Sequence, residues 1–242
     1  MDKLDDLWVP KHVYLPDPVE WLHDMKCVHT TGVFKDKMAL VIDVTALDTT
    51  LSSDPTTARA QHSSKTGGPA NNALFVSTPR GIVVQVPPVE GGAVADVSIW
   101  SNSNCIERLE ERYGKTGKLK IGGVVYELEM WGDKAFPYGR APQNWKKRIT
   151  KTGEGTVNES KLDEDDTAPV PAGKGSSLEG VVFDPTVAAP RTSIERVNRR
   201  VKKFKITSSV HWTLSQDRLT KILRVLAGIN NFILRRHPDW HV

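Results

Sequence analysis

The sequence predicts an α/β protein built on one mixed sheet with helices packed over it, and three observations carry that prediction. Residues 37–47, "KMALVIDVTAL", form a compact apolar run rich in Val, Ile and Leu, short enough for a buried strand. Residues 72–88 read as two strands about the turn "PRG", with Pro79 and Gly81 supplying the reversal. Helical patterns then follow at 91–114 and again after Pro190. Strands that first pair in a hairpin and then mix with helices indicate a mixed sheet flanked by helices.

The remaining elements fall in order around these. "DPVEWLHDMK" predicts a short helix after Pro18, within a peripheral segment 1–36, and residues 48–70, rich in Thr, Ser, Asp, Gly and Pro, read as a loop. In "GGAVADVSIWSNSNCIERLEERYG" one helix is expected, with Asp96 as its N-cap, Ile99, Ile106 and Leu109 on one face and Gly114 at its end. "VVYELEMWGD" (124–133) reads as a strand and "WKKRIT" (145–150) as a further short one. Residues 151–180 hold almost no large apolar side chains and are expected to form a disordered insertion before the late helix. That helix starts with Thr192 or Ser193 as cap and carries the stripe Ile194, Val197, Val201 and Phe204. A last helix at about 215–235 buries Leu219, Ile222, Leu223, Leu226, Ile229, Ile233 and Leu234. The expected organisation is a domain over 37–236 between the segment 1–36 and a tail 237–242.

Composition bounds the partners. The 242 residues are 38% hydrophobic and 26% charged, with a net charge of +4 and a pI near 9.0. No apolar run approaches the roughly 20 residues of a membrane span, so no membrane partner is expected. Two cysteines, Cys27 and Cys105, fit neither a disulfide framework nor a metal-ligand spacing, and point to a reducing compartment. Positive charge is concentrated in "RTSIERVNRRVKKFK" (191–205), with seven bases and the single acid Glu195. Such a face is the electrostatic footprint of a nucleic-acid binder, and also that of a solvated helix.

The order of three strands, a helix, a fourth strand and late helices matches the ribonuclease-H-like fold. Its metal-binding acids lie on the first strand, just after the fourth, and on a late helix. Asp43, Asp133 and Glu195 occupy those three places in this chain. Converging hard oxygen ligands suit two Mg²⁺ or Mn²⁺ ions, the arrangement that activates the attacking oxygen and stabilises the leaving one in phosphoryl transfer. Each acid also has a plainer reading, as a turn residue (Asp43, Asp133) or an early-helix acid (Glu195). Arg191 lies four residues before Glu195 and Lys202 seven after, so all three share one helix face. The acid would bind cation and the two bases phosphate; an intrahelical ion pair is the alternative.

"R-TSI-E-RVNRRV-K" resembles the R-x3-E-x6-K part of the Y-R-E-K signature of cut-and-paste DDE transposases. "VIDVTA", "GGAVADVSIWSNSN", "WGDKAFP" and "RTSIERVNRRVKKFKI" resemble, in order, the blocks of Harbinger-type transposase catalytic domains, from about residue 38 to 236. "GINNF" (228–232) stands where that family has its late helix. The resemblance implies a metal-dependent DNA endonuclease and strand transferase with Asp43, Asp133 and Glu195 as catalytic and metal-binding triad. Asp96 is an alternative ligand, and Arg191 and Lys202 hold DNA phosphate. It implies double-stranded DNA and transposon ends as partners, a separate DNA-binding protein or a homo-oligomer as further ones, and a nuclear location in a eukaryote, otherwise a cytoplasmic one. Ala188 stands where the signature has Tyr, and the alternative is a decayed or domesticated transposase kept as a DNA-binding or scaffold protein.

Overall fold

The computed structural model describes residues 1–26, 37–132, 141–149, 185–208 and 214–237. The predicted insertion at 151–180, the tail beyond His237, Cys27 and Asp133 lie outside the described residues.

Strand β1 (Lys37–Asp48) is the centre of the sheet. Residues 38–42 are all buried, and because neighbouring side chains point to opposite faces, both faces of the sheet must be covered. On one side β1 pairs antiparallel with β3 (Gly68–Ser77), with Asp43 opposite Phe75. On the other it runs parallel to β7 (Val124–Gly132), from Lys37 opposite Glu127 to Val41 opposite Trp131. The outer edge of β3 pairs antiparallel with β4 (Val83–Gln85), and the outer edge of β7 parallel with β8 (Lys146–Ile149). The spatial order β4-β3-β1-β7-β8 is the mixed sheet expected from the strand order. Short strands β2 (His62–Ser63) and β5 (Glu90–Gly91) also join β3, and β6 (Lys118–Ile121) joins β7.

The hairpin at 72–88 forms, but its second strand is shorter than the apolar run suggests. Gly81, at φ +90°, closes the turn by donating its N–H to the Thr78 carbonyl. Pro87 and Pro88 cannot donate to a ladder, so regular pairing stops at Gln85. Helix α9 (Gln216–Arg236) takes over instead. Thr220 Oγ1 accepts from the Val89 N–H at 2.9 Å, Arg224 Nε donates to the Val86 carbonyl at 3.1 Å, and Asn230 Nδ2 donates to the Gly81 carbonyl at 3.0 Å. Polar side chains on one helix thus satisfy backbone groups that a longer strand would have paired.

The N-terminal helices α1 (Asp2–Leu7) and α2 (Val9–His12) pack on α9, and Gly228 lets the Trp8 ring reach the helix backbone, where any Cβ would meet Trp8 Nε1 at 2.6 Å. Helix α3 (Pro18–Lys26) forms as predicted and sends the fully buried Trp21 to the Ala39 carbonyl.

Four local expectations need correction. The loop at 48–70 contains α4 (Pro55–Gln61), capped by Asp54 accepting from the Thr57 N–H at 2.7 Å, and β3 already begins at Gly68. The single helix at 96–114 is two, α5 (Asp96–Asn102) and α6 (Cys105–Tyr113), separated where the Ser103 N–H turns back to Ile99 and Trp100. Gly114, at φ +78°, does end the second. The late helix α7 starts at Pro185, upstream of the predicted Thr192 or Ser193 cap, and ends at Lys202. Phe204 therefore falls between it and the short α8 (Lys205–Ser208) and is 39% exposed, while Ile194, Val197 and Val201 are buried. In α9, Leu219, Ile222, Leu223, Leu226 and Leu234 are buried, with Ile229 and Ile233 only partly so.

Candidate active site

Asp43 is half-buried at the middle of β1, flanked in sequence by the buried Ile42 and Val44. Strand alternation places its side chain on the same face as those of Ala39 and Val41, and through the parallel register as Glu129 and Trp131 of β7. Helix α7 lies against β1, with its apolar stripe Ile194, Val197 and Val201 turned into the core. From that helix Asn198 donates its Nδ2–H to Asp43 Oδ2 at 2.7 Å. Its Oδ1 is sealed from solvent with no hydrogen-bond partner, and the residue as a whole is 9% exposed.

Glu195 is exposed, three residues before Asn198 on α7. That is about 4.5 Å along the helix axis, one step on the same face. Lys202, exposed, follows Asn198 by four residues and ends α7. The structure thus brings the strand carrying Asp43 and the helix carrying Glu195 and Lys202 together through Asn198. Arg191 belongs to the α7 backbone, and its side chain lies outside the described residues. Asp133, next in sequence after the last residue of β7, lies outside them as well. Among the described residues, no three His, Cys, Asp or Glu side chains cluster closely enough to hold an ion.

Asp96 does not cap its helix. Ala95 is the N-cap, and Asp96 is the first helical residue, with both carboxylate oxygens on Lys65 Nζ at 2.5 and 2.6 Å. The partner comes from the β2–β3 connection, 31 residues earlier in the chain, which no local pattern reveals. Of the other bases near Glu195, Arg199, Lys203 and Lys205 are exposed. Arg200 is not a solvated base: it donates to Asn230 Oδ1 of α9 at 3.1 Å, and burial, with Arg196 nearby, lowers its pKa.

Two polar residues on the Asp43 side escaped the sequence reading. Glu129 is fully buried, ion-paired to Lys37 Nζ at 3.3 Å and accepting from Trp131 Nε1 at 2.9 Å. Its strand alternation, with Glu127 two residues before it, gave no hint of which carboxylate would be enclosed. Asn198 lies within the basic run 191–205, and the one usable signal is its spacing of three from Glu195 and of one from the apolar Val197.

The donor set suits a hard divalent cation. Asp43 and Glu195 offer carboxylate oxygens, and Asn198 Oδ1 is a buried amide oxygen without a partner. Mg²⁺ and Mn²⁺ prefer such oxygens to sulfur or imidazole.

A mixed sheet in this order, with an acid on its central strand tied to an acid-bearing late helix, is the arrangement expected of the ribonuclease-H-like fold. Residues 42–231 match the family model described as DDE superfamily endonuclease, and the chain belongs to that family. No match was found among curated proteins or among solved structures. Among the described residues, no helix is long and apolar enough to cross a membrane.

Proposed function

We propose that this chain is a divalent-metal-dependent DNA endonuclease and strand transferase of the Harbinger type. The family match supports the endonuclease class. The single observation that carries the site reading is the 2.7 Å hydrogen bond from Asn198 to Asp43, which fastens the helix bearing Glu195 onto the strand bearing Asp43.

In this reading Asp43 and Glu195, joined by Asp133 from the end of β7, hold the ions. Two bound ions would supply activation of the attacking oxygen and charge stabilisation at the leaving oxygen. Arg191 and Lys202 hold the phosphodiester: each is a base one or two turns from Glu195 on α7, so phosphate and cation are gathered on one helix face. The exposed Arg199, Lys203 and Lys205 extend that positive surface and would contact DNA backbone without reading its sequence. Transposon ends are the proposed substrate, recognised together with a separate DNA-binding protein or a second copy of the chain.

The test is nicking of DNA carrying the element's own ends in Mg²⁺ or Mn²⁺. Wild type is expected to cut and Glu195→Gln to be inert. If both proteins are folded and neither cuts, the catalytic reading fails and a DNA-binding scaffold remains; if both cut alike, Glu195 holds no catalytic ion. Lys202→Ala is expected to weaken DNA binding at every sequence tested and to lower the salt dependence of log K by about one phosphate's worth.

A further inference from the structure

We infer that Asn198 is a positioning residue of the ion site, orienting Asp43 through its amide nitrogen and presenting its amide oxygen toward the cation. The inference rests on the endonuclease reading above and extends it to a residue that the triad does not include.

The orientation of the amide is fixed by chemistry. An ionised carboxylate can only accept, so the group facing Asp43 Oδ2 at 2.7 Å must be the NH₂ end. The oxygen is thereby left without a hydrogen-bond partner and sealed from solvent. A buried acceptor without a hydrogen bond is a liability to the fold. The surroundings did not require it: Val197 next to it and Ile194 and Val201 on the same helix are buried and apolar, and leucine has nearly the same shape as asparagine.

An ion held by Asp43 and Glu195 accounts for both ends. The nitrogen restricts Asp43 to one rotation, as residues behind metal ligands commonly do. The oxygen becomes a neutral donor one helix step from Glu195, of the kind that hard cations accept alongside carboxylates.

The test uses the full chain and Mn²⁺ alone, with affinity read by titration calorimetry or by the spin resonance of free Mn²⁺, and with melting followed in chelator. Wild type is expected to bind Mn²⁺. Asn198→Leu is expected to weaken binding 10- to 100-fold, a range typical of lost support behind a ligand, while melting in chelator stays level or rises. Asn198→Asp keeps an oxygen but sets a second carboxylate beside Asp43, so Mn²⁺ should raise its melting temperature more than it raises that of wild type. That variant also decides the matter should the leucine protein fail to fold. The inference is overturned if Asn198→Leu and Asn198→Asp bind Mn²⁺ as wild type does while Asp43→Asn does not. It is overturned too if Asn198→Leu melts earlier with unchanged affinity, the mark of a merely structural hydrogen bond. Should wild type bind no Mn²⁺ at all, the ion-site reading falls and this inference with it.

Discussion

Asn198 on α7 and Asn231 on α9 are both buried asparagines on helices packed against the sheet, yet their amides fare in opposite ways. Asn231 is fully buried and completely used. Its Oδ1 accepts from the Val83 N–H at 2.8 Å and from Asn230 Nδ2 at 3.3 Å, and its Nδ2 donates to the carbonyls of Val83 and His12, each at 2.6 Å. It pairs with both backbone groups of Val83 as a neighbouring strand would, and so serves as a one-residue edge to β4. Asn198 spends its nitrogen on Asp43 and leaves its oxygen without a bond. The first amide closes a frame; the second fastens α7 to the strand that carries Asp43.

Stability measurements should separate the two. Asn231→Leu is expected to do the most damage, about 4 kcal/mol, because it strands the N–H and C=O of Val83 in the interior and takes from the His12 carbonyl one of its two donors. Denaturant unfolding measures this directly; a loss below about 1 kcal/mol would break the contrast.

The frame has a second tie in Arg80, which bridges Asp24 Oδ1 at 2.9 Å and the Leu234 carbonyl at 2.9 Å with both charged side chains mostly enclosed. Asp24→Ala should cost about 3 kcal/mol by leaving the guanidinium enclosed without its counter-charge.

Within the same frame, burial pushes the Cys105 thiol up to about 11. The sign follows: the folded state keeps the thiol proton more tightly than the unfolded one, so this group's contribution is intact below the ordinary thiol pKa and is lost as pH rises toward 11. With Cys27 replaced by serine, labelling at pH 8 should run about a hundredfold slower than for a free cysteine, and become fast only on unfolding.

Asn198→Leu should change stability least among these buried sites, leaving it level or raising it by up to about 1 kcal/mol, since it removes one hydrogen bond and one unsatisfied oxygen together. At the bottom of the scale, Lys221→Ala, which breaks exposed pairs with Asp2 and Asp217, should leave the melting temperature unchanged.

What could be read in the sequence depended on how local each cause was. The β3–β4 turn, the α6 stop at Gly114 and the apolar stripe of α9 are written in neighbouring residues, and the structure has them. Two further local signals are of the same kind: Asp54-Pro55 is an N-cap followed by proline at the first helical position, and Gly122-Gly123, at φ +56° and +87°, is a two-residue hairpin turn joining β6 to β7. Asp96 departs from its expected capping role for a different reason. Its Lys65 partner arrives through tertiary folding, and a long-range ion pair took the carboxylate that a cap would have used. At the site, the sequence offered Asp43 and Glu195 by position in the element order. It could not offer Asn198, whose role appears only when β1 and α7 meet.

The bond between Asn198 and Asp43 joins residues 155 positions apart, and the ties from α9 to Val83 and Gly81 span nearly as far. At the usual pace of synthesis, Asp43 is made roughly 8–30 s before Asn198. Through that interval the nascent strands have neither the helix that completes the Asp43 neighbourhood nor the one that edges β4. Asp43 therefore waits, in time as well as in space, on the last third of the chain, and an emerging polypeptide lacks the proposed site until translation is almost done.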